Sequence, residues 1–267
     1  MYAERPSRLD GAIVWTRATG PADPADPGTR PVLPDGCMDL IWADGTLMVA
    51  GPDTRAYVPE SPAVAYAGVR FAPGDAPAVL GTEASALRDR RVALADLWGD
   101  RTARRLADRV TAAADRAAAL EELVLRRAAD APAPDPLLRA VVALLRAGQP
   151  VGAAADAVGL GVRRLHRCSL AAFGYGPKTL ARILRLQRAL ALVRAGVPYA
   201  EAAHRAGCVD QAHLAREMRA LSGTTLSRYT ASLAASGSVS APPSASASAS
   251  ASAYRETADP SGSSTTA

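Results

Sequence analysis

The chain has 267 residues, 49% of them hydrophobic and 21% charged, with a formal net charge of +5; that length exceeds one typical domain and admits at least two buried cores. The N-terminal MYAERPSRLD is charged and no apolar run approaches about 18 residues, which excludes a secretory signal and a membrane-spanning helix, so a soluble, cytoplasmic protein is expected. Cys37, Cys168 and Cys208 lie too far apart for the short spacings of metal or redox motifs, in keeping with a reducing compartment.

Along residues 1–81, Pro and Gly recur every few positions between short β-favouring runs: AIVW (12–15), MDLIWA (38–43), TLMVA (46–50) and VAYAGVRF (64–71). This is the pattern of a small β domain. Asp44-Gly45 supplies a two-residue hairpin, because both central positions of that turn need positive φ. TGPADPADPGTRP (19–31) cannot lie inside a strand and is expected as a surface loop. From Thr82 to Arg127 the turn signals thin out and Ala, Leu and Arg recur at helical spacing, with Thr82 the expected cap of a short helix and Asp100 of a longer one. APAPDP (131–136) interrupts that pattern and divides the chain into residues 1–132 and 135–230. After Tyr229 come ASLAASGSVSAPPSASASASASA and PSGSSTTA, too small and polar to bury a core, so 231–267 is expected to be a disordered tail.

Charge is divided unevenly. Residues 1–134 hold 16 Arg and 19 Asp+Glu, whereas residues 135–230 hold 14 Arg+Lys and 5 Asp+Glu, a net of −3 against +9. Basic charge gathered in one small domain is the footprint of a polyanion binder, although a solvated helix face gives the same count.

Within the basic segment a pattern occurs twice, as AADAVGLGVRRLHR (154–167) and AAHRAGCVDQAHLAR (202–216). Each copy opens with small residues on a helix, reaches a Gly (Gly159, Gly207), and starts a second helix with an apolar Leu (Leu165, Leu214) followed two residues on by Arg (Arg167, Arg216). The Gly permits the left-handed backbone that lets two helices meet steeply. Small residues at 154, 155, 202 and 203 allow the first helix close packing. A continuous helical pattern, Lys178–Ala195, joins the copies.

On these motifs residues 135–229 resemble the AraC/XylS-type DNA-binding domain, a pair of helix-turn-helix units bridged by one long helix. RRLHR (163–167) is similar to its first recognition helix, GYGPKTLARILRLQRAL (174–190) to its connector, and GCVDQAHLAREMRALSGTTLSRY (207–229) to its C-terminal signature. Gly161 departs from the usual capping Ser, Cys168 and Met218 from Phe core residues, and Leu226 from Pro. The resemblance implies that the second helix of each unit enters the major groove of double-stranded DNA. If Leu165 and Cys168 face the core, Arg163, His166 and Arg167 face outward; if Leu214 and Met218 are buried, Gln211, Ala212, Ala215 and Arg216 do. Arg can grip guanine and Gln adenine, so Arg163, Arg167 and Gln211 lead the base-reading set. Arg164, Lys178 and Arg182 complete the DNA-binding set, with Arg182 taken as a phosphate contact. A structural ion pair or a phosphate contact is the alternative for Arg167 and Arg216, and a surface histidine without a role for His166. His204 and His213 read as packing or capping groups.

A β domain ahead of such a reader implies, by resemblance, a cupin-like effector or dimerisation module. VLPDGCMDLIW (32–42), GVRFAPGDAPAVLG (68–81) and LADLWGD (94–100) are similar to an uncharacterised domain found upstream of AraC-type readers. All three His residues lie after 165, so this half lacks the imidazole cluster of a metal-dependent cupin enzyme. Trp15, Trp42, Tyr57, Tyr66 and Phe71 either line a ligand pocket, with Arg70 and Asp39 as polar anchors, or form the core of a small barrel. Trp15, Trp42 and Arg70 are the ligand-binding candidates. Cys37 is either a sensor thiol or a plain turn cysteine.

The reading is an α+β multidomain protein: a small cupin-like β domain with a helical extension, an all-α tandem helix-turn-helix domain and a disordered tail. Its expected function is sequence-specific transcriptional regulation without cofactor, metal or catalytic residues. Double-stranded DNA is the expected partner, with a small-molecule effector, RNA polymerase and a second copy of the chain as further candidates and no membrane. The alternative is a sensor or enzyme in the N-terminal half whose helical domain binds protein or DNA without sequence choice.

Overall fold

The computed structural model describes residues 2–18, 31–58 and 65–235. The strands β1 (Tyr2–Pro6), β2 (Ile13–Ala18), β3 (Met38–Ala43), β4 (Thr46–Ala50), β5 (Ala65–Phe71) and β6 (Arg91–Ala93) form one sheet in the order β1-β2-β5-β3-β4-β6, every pair antiparallel. Period-two alternation decides which face is covered. Met38, Leu40 and Trp42 of β3 and Ala67, Val69 and Phe71 of β5 are buried, while Asp39, Ile41, Tyr66 and Arg70 of the opposite face are only partly so. Asp44 and Gly45 turn β3 into β4 with φ of 42° and 88°, the two positive values expected. The sequence reading missed β1 and β6: the first is a charged edge strand without alternation, and the second is only three residues long.

Helices follow: α1 (Ala76–Leu80), α2 (Ala84–Leu87), α3 (Leu94–Trp98), α4 (Asp100–Ala112) and α5 (Arg116–Ala129). Of these, α3, α4 and α5 lie on the apolar face of the sheet. Val110, Leu120 and Val124 share one core there with Leu40, Val49 and Val69, each such burial stabilising by about 1.5–3 kcal/mol. Two expected caps move. Glu83, not Thr82, caps α2, and Gly99 caps α4 at φ 80°, leaving Asp100 as the first helical residue. The glycine lets α3 stop and α4 start in a single residue, and Asp100 then meets the positive end of the helix dipole.

The remaining chain is all helix: α6 (Pro136–Arg146), α7 (Val151–Ala157), α8 (Val162–Phe173), α9 (Pro177–Arg194), α10 (Tyr199–Arg205), α11 (Gln211–Ser222) and α12 (Leu226–Ala235). The carboxylate of Asp135 accepts from Leu137 N at 2.8 Å and starts α6, with Pro136 at its first turn. These helices enclose a second core centred on α9, which also takes in Leu33 from the N-terminal half. Residues 231–235 continue α12 rather than beginning a disordered tail; 236–267, like most of the expected 19–31 loop, lie outside the described residues. Among the described residues no helix is long and apolar enough to cross a membrane.

The two cores touch along a defined seam. A Cβ on Gly174 would stand 2.6 Å from Pro52 and 3.0 Å from the Ala84 carbonyl, and one on Gly74 would stand 2.8 Å from the Phe173 ring. Arg88 donates to the Gly174 carbonyl at 3.3 Å, the Gln187 amide to that of Pro34 at 2.6 Å, and Arg139 to the buried Asp75 at 2.8 Å. The sheet domain therefore holds the C-terminal end of α8 and the middle of α9.

Glu121, buried in the middle of α5, pins the first hairpin: it accepts from Arg5 at 2.8 Å, from Ser7 Oγ at 2.8 Å and from Arg8 N at 2.7 Å. Burial pushes its carboxyl up, but the combined bonds from Arg5, Arg8 N and Ser7 outweigh it and hold the group down at about 2 against the usual 4.5. A lowered folded pKa gives stability that is full above about 4.5 and is lost as pH falls towards about 2. Glu121→Gln is expected to cost about 2–3 kcal/mol at neutral pH and to flatten that acid limb, as read by urea denaturation across pH.

Candidate nucleic-acid interface

Two helix pairs, α7 with α8 and α10 with α11, carry the doubled motif. Ala154, Ala155, Ala202 and Ala203 are fully buried, as close packing of the first helices requires. Gly159 and Gly207 have φ of 66° and 85°, the left-handed backbone that the steep turns need. From there the copies diverge by one residue: Gly161 caps α8, two positions after its glycine, whereas Asp210 caps α11, three positions after.

Counting from the caps aligns the second helices throughout. Leu165 matches Leu214 and Ser169 matches Met218, all fully buried, and Gly174 and Gly223 end both helices in the left-handed region. In this register Val162 matches Gln211, Arg163 matches Ala212, His166 matches Ala215 and Arg167 matches Arg216. Val162, passed over in the sequence, is 63% exposed on the first turn of α8; counting from the cap instead of the glycine would have found it. Cys168 does not face the core. The buried positions of α8 are Leu165, Ser169, Ala172 and Phe173, because its C-terminal half is packed on both sides, and Cys168 is half-buried at the edge of that face.

Arg163, Arg164, His166, Arg167, Gln211, Ala212, Arg216 and Lys178 are all exposed, and Ala215 is half-buried. None of the cations Arg163, Arg164, Arg167, Arg216 and Lys178 has an ion pair or side-chain hydrogen bond among the described residues. His166 lays its ring over the turn into α9, where a Cβ on Gly176 would approach it to 3.1 Å. Arg182 is not a free phosphate contact: its Nε donates to Glu217 at 3.1 Å, and the same carboxylate takes Arg185 at 3.5 Å and lies 3.8 Å from His213. Glu217 thereby ties α11 to α9. Asp210 accepts from His213 N at 2.6 Å and His213 Nδ1 from Val209 N at 3.3 Å, so the start of α11 is capped twice, while Gly161 gives α8 no side-chain cap.

Arg188, on α9, is the other tie. It donates to the carbonyls of Leu145 at 3.1 Å and Arg146, at the end of α6, and to that of Ala206 at 2.8 Å, at the end of α10. One guanidinium thus satisfies the exposed carbonyl ends of a helix from each half of the basic domain.

The ligand candidates separate. Trp42 is a core residue, 4% exposed, with its indole N–H donating to Thr111 Oγ at 2.9 Å and Arg116 over its ring at 4.8 Å, so it is closed to a ligand. Trp15 and Arg70 lie on the opposite, half-open face. Trp15 rests against Gly68 and donates to Asp39 at 2.6 Å; Arg70 Nε stands 3.4 Å from both Asp35 and Asp39 without an aligned hydrogen bond, a contact of charge alone. Cys37 is a turn cysteine: its N–H donates to Asp35 at 2.9 Å, and burial pushes its thiol well above the usual range, against sensor chemistry.

A family model described as "Helix-turn-helix domain" matches residues 137–232, spanning both units and the helix that joins them. The chain carries an AraC-type DNA-binding domain. A second model, "Domain of unknown function (DUF6597)", matches residues 12–93 ahead of it. No curated protein matches the sequence. Among solved structures, ToxT from Vibrio cholerae O395 is similar at 8% identity over 87% of this chain and 98% of that one, with a TM-score of 0.44. An apo variant of ToxT from Vibrio cholerae is similar at 9% identity over 85% of this chain and 100% of that one, with a TM-score of 0.43. DNA binding in transcription regulation is what the AraC-type domain confers.

Because Arg188 joins two helix ends of the AraC-type domain, Arg188→Met should lower its stability by about 2–3 kcal/mol. It should also weaken a specific duplex more than Lys178→Met does; denaturation and duplex titration of both variants check this.

Proposed function

We propose that the chain is a sequence-specific transcription regulator that reads two successive major-groove segments, the first with α8 and the second with α11. The observation that carries this is the match of their outward positions, counted from the caps, with unpartnered cations in both and a shared support in α9. Unpaired, exposed arginines around the start of a helix are free to meet base edges and phosphates. In the first unit Arg163 and Arg167 would read guanine, and Val162 would meet a thymine methyl; in the second Gln211 would pair with adenine, beside the small Ala212 and Ala215 and the cationic Arg216. Arg164 and Lys178 would hold phosphates, and His166 the edge of the first contact surface. Residues 135–230 act as the reader and 1–132 as the effector or dimerisation half, with RNA polymerase and a second copy of the chain as further partners.

Trp15 and Arg70 are the contacts proposed for a small-molecule effector. Asp35, paired with Arg70, adjoins Gly36, whose Cα packs so closely on α9 that a Cβ there would stand 3.1 Å from Leu180. A ligand that competes for Arg70 would act on α9 through that loop.

Selection of bound sequences from a random duplex pool should return a two-part site. On that site Arg163→Ala, Gln211→Ala and Val162→Ser should each lose about 1–3 kcal/mol, with little change on random DNA. Arg164→Ala should weaken both duplexes alike and reduce the salt slope by about 0.9. Equal losses on both duplexes for the first three would refute base reading.

A further inference from the structure

The surface of α4 and α5 holds a groove of about 440 Å³ that no residue of the sheet, of α8 or of α11 lines. Arg105 and Arg109 of α4 and Arg126 and Arg127 of α5 surround it, Trp98 and Leu106 contribute apolar floor, and no carboxylate lines it. Arg5 and Arg8 are matched with Glu121, Arg70 with Asp39 and Arg91 with Asp53, whereas Arg101 and Arg104 of α4 have no ion pair or hydrogen bond among the described residues. Arg105 and Arg109 have no ion pair or hydrogen bond among the described residues. Arg127 lies over Trp98 at 4.5 Å, and Arg126 meets only the half-exposed Glu122. Like charges therefore gather around an apolar strip within residues 1–134, which are acidic overall, an arrangement that the core beneath does not require.

A second hollow of about 430 Å³ shares Arg105 and continues along α4, lined by Arg101 and Arg104 together with Asp100 and Asp108. With the 13 residues of α4 spanning about 20 Å, the pair of hollows is long enough for a stretch of polypeptide. Phosphates would find nothing in the apolar floor, and a second copy would bring arginine against arginine.

We propose that this groove docks an acidic amphipathic segment of a partner protein, whose carboxylates meet the arginines and whose apolar side chains cover Trp98 and Leu106. Charge complementarity around a partly apolar centre is what such a segment supplies. The proposal is independent of the DNA-reading assignment and fails separately from it.

The test uses the full chain and a fluorescent peptide of about 14 residues, with Glu and Leu placed at helical spacing, alongside the same peptide with Gln for every Glu. Wild type should bind the Glu peptide with an affinity that falls with salt, and the Gln peptide at least about tenfold more weakly. R105E/R109E should lose about tenfold or more for the Glu peptide, R105Q/R109Q an intermediate amount, and both should hold duplex affinity within about twofold. Melting temperatures of the two variants establish that each is folded. The proposal is overturned if wild type does not bind the Glu peptide, if charge reversal leaves binding unchanged, or if the Gln peptide binds equally. It is likewise overturned if duplex affinity falls in step with peptide affinity, which would assign the arginines to DNA, or if charge reversal dissociates a dimer of this chain.

Discussion

The burial of α9 is the constraint on which the basic domain depends. Its buried positions, from Leu180 through Ile183, Leu184, Leu186, Ala189 and Leu190 to Val193, spread over more than one face, and α6, α7, α8, α10 and α11 all pack on it. A helix covered on several sides is a poor place for charge, yet Arg182, Arg185 and Arg188 all sit on it. Arg182 and Arg185 reach the carboxylate of Glu217, although Arg185 Nε stays buried without a hydrogen bond, and Arg188 reaches the carbonyl ends of α6 and α10. Removing one partner of such a contact leaves a poorly solvated group behind, which costs more than the contact itself contributes.

The two units are supported unequally. Unit one is held by the sheet domain as well as by α9, since Phe173 and Gly174 fill the space between Gly74, Pro52 and Ala84. For unit two the sheet domain supplies, among the described residues, a backbone bond from Ala56 N to the carbonyl of Leu221 at 2.7 Å. Capping runs the other way: Asp210 and His213 fix the start of α11, whereas α8 begins at a bare glycine. The sheet domain thus packs closely on α8, the helix with the less firmly capped start. The Pro34–Gly36 loop, joined on one side to Arg70 through Asp35, meets α9 on the other at Gln187 and Leu180.

Much of this was legible in the chain. Alternation and the Asp44-Gly45 turn fixed β3, β4 and the sense of the sheet, because a period of two with one covered face leaves little choice. The small-residue pairs, Gly159 and Gly207, and the run from Lys178 onward located both helix pairs and their connector, since each rests on a backbone requirement that few residues meet. The exposed arginines of α8 and α11 followed from helical periodicity alone.

What the chain could not disclose is what long-range packing decided. Cys168 and Ser169 are neighbours on a helix, and only the arrival of α1 and α2 against α8 determined which turned inward. Arg182 reads as a free cation until Glu217, 35 residues away, is brought beside it. Trp42 and Trp15 are equally aromatic in the sequence; the sheet put one under α4 and α5 and left the other on the open face. Local conformation is set by each residue's own backbone and its near neighbours and can be read in order, whereas the partner of a charge and the cover of an apolar side chain come from distant segments and exist only once the chain has closed on itself.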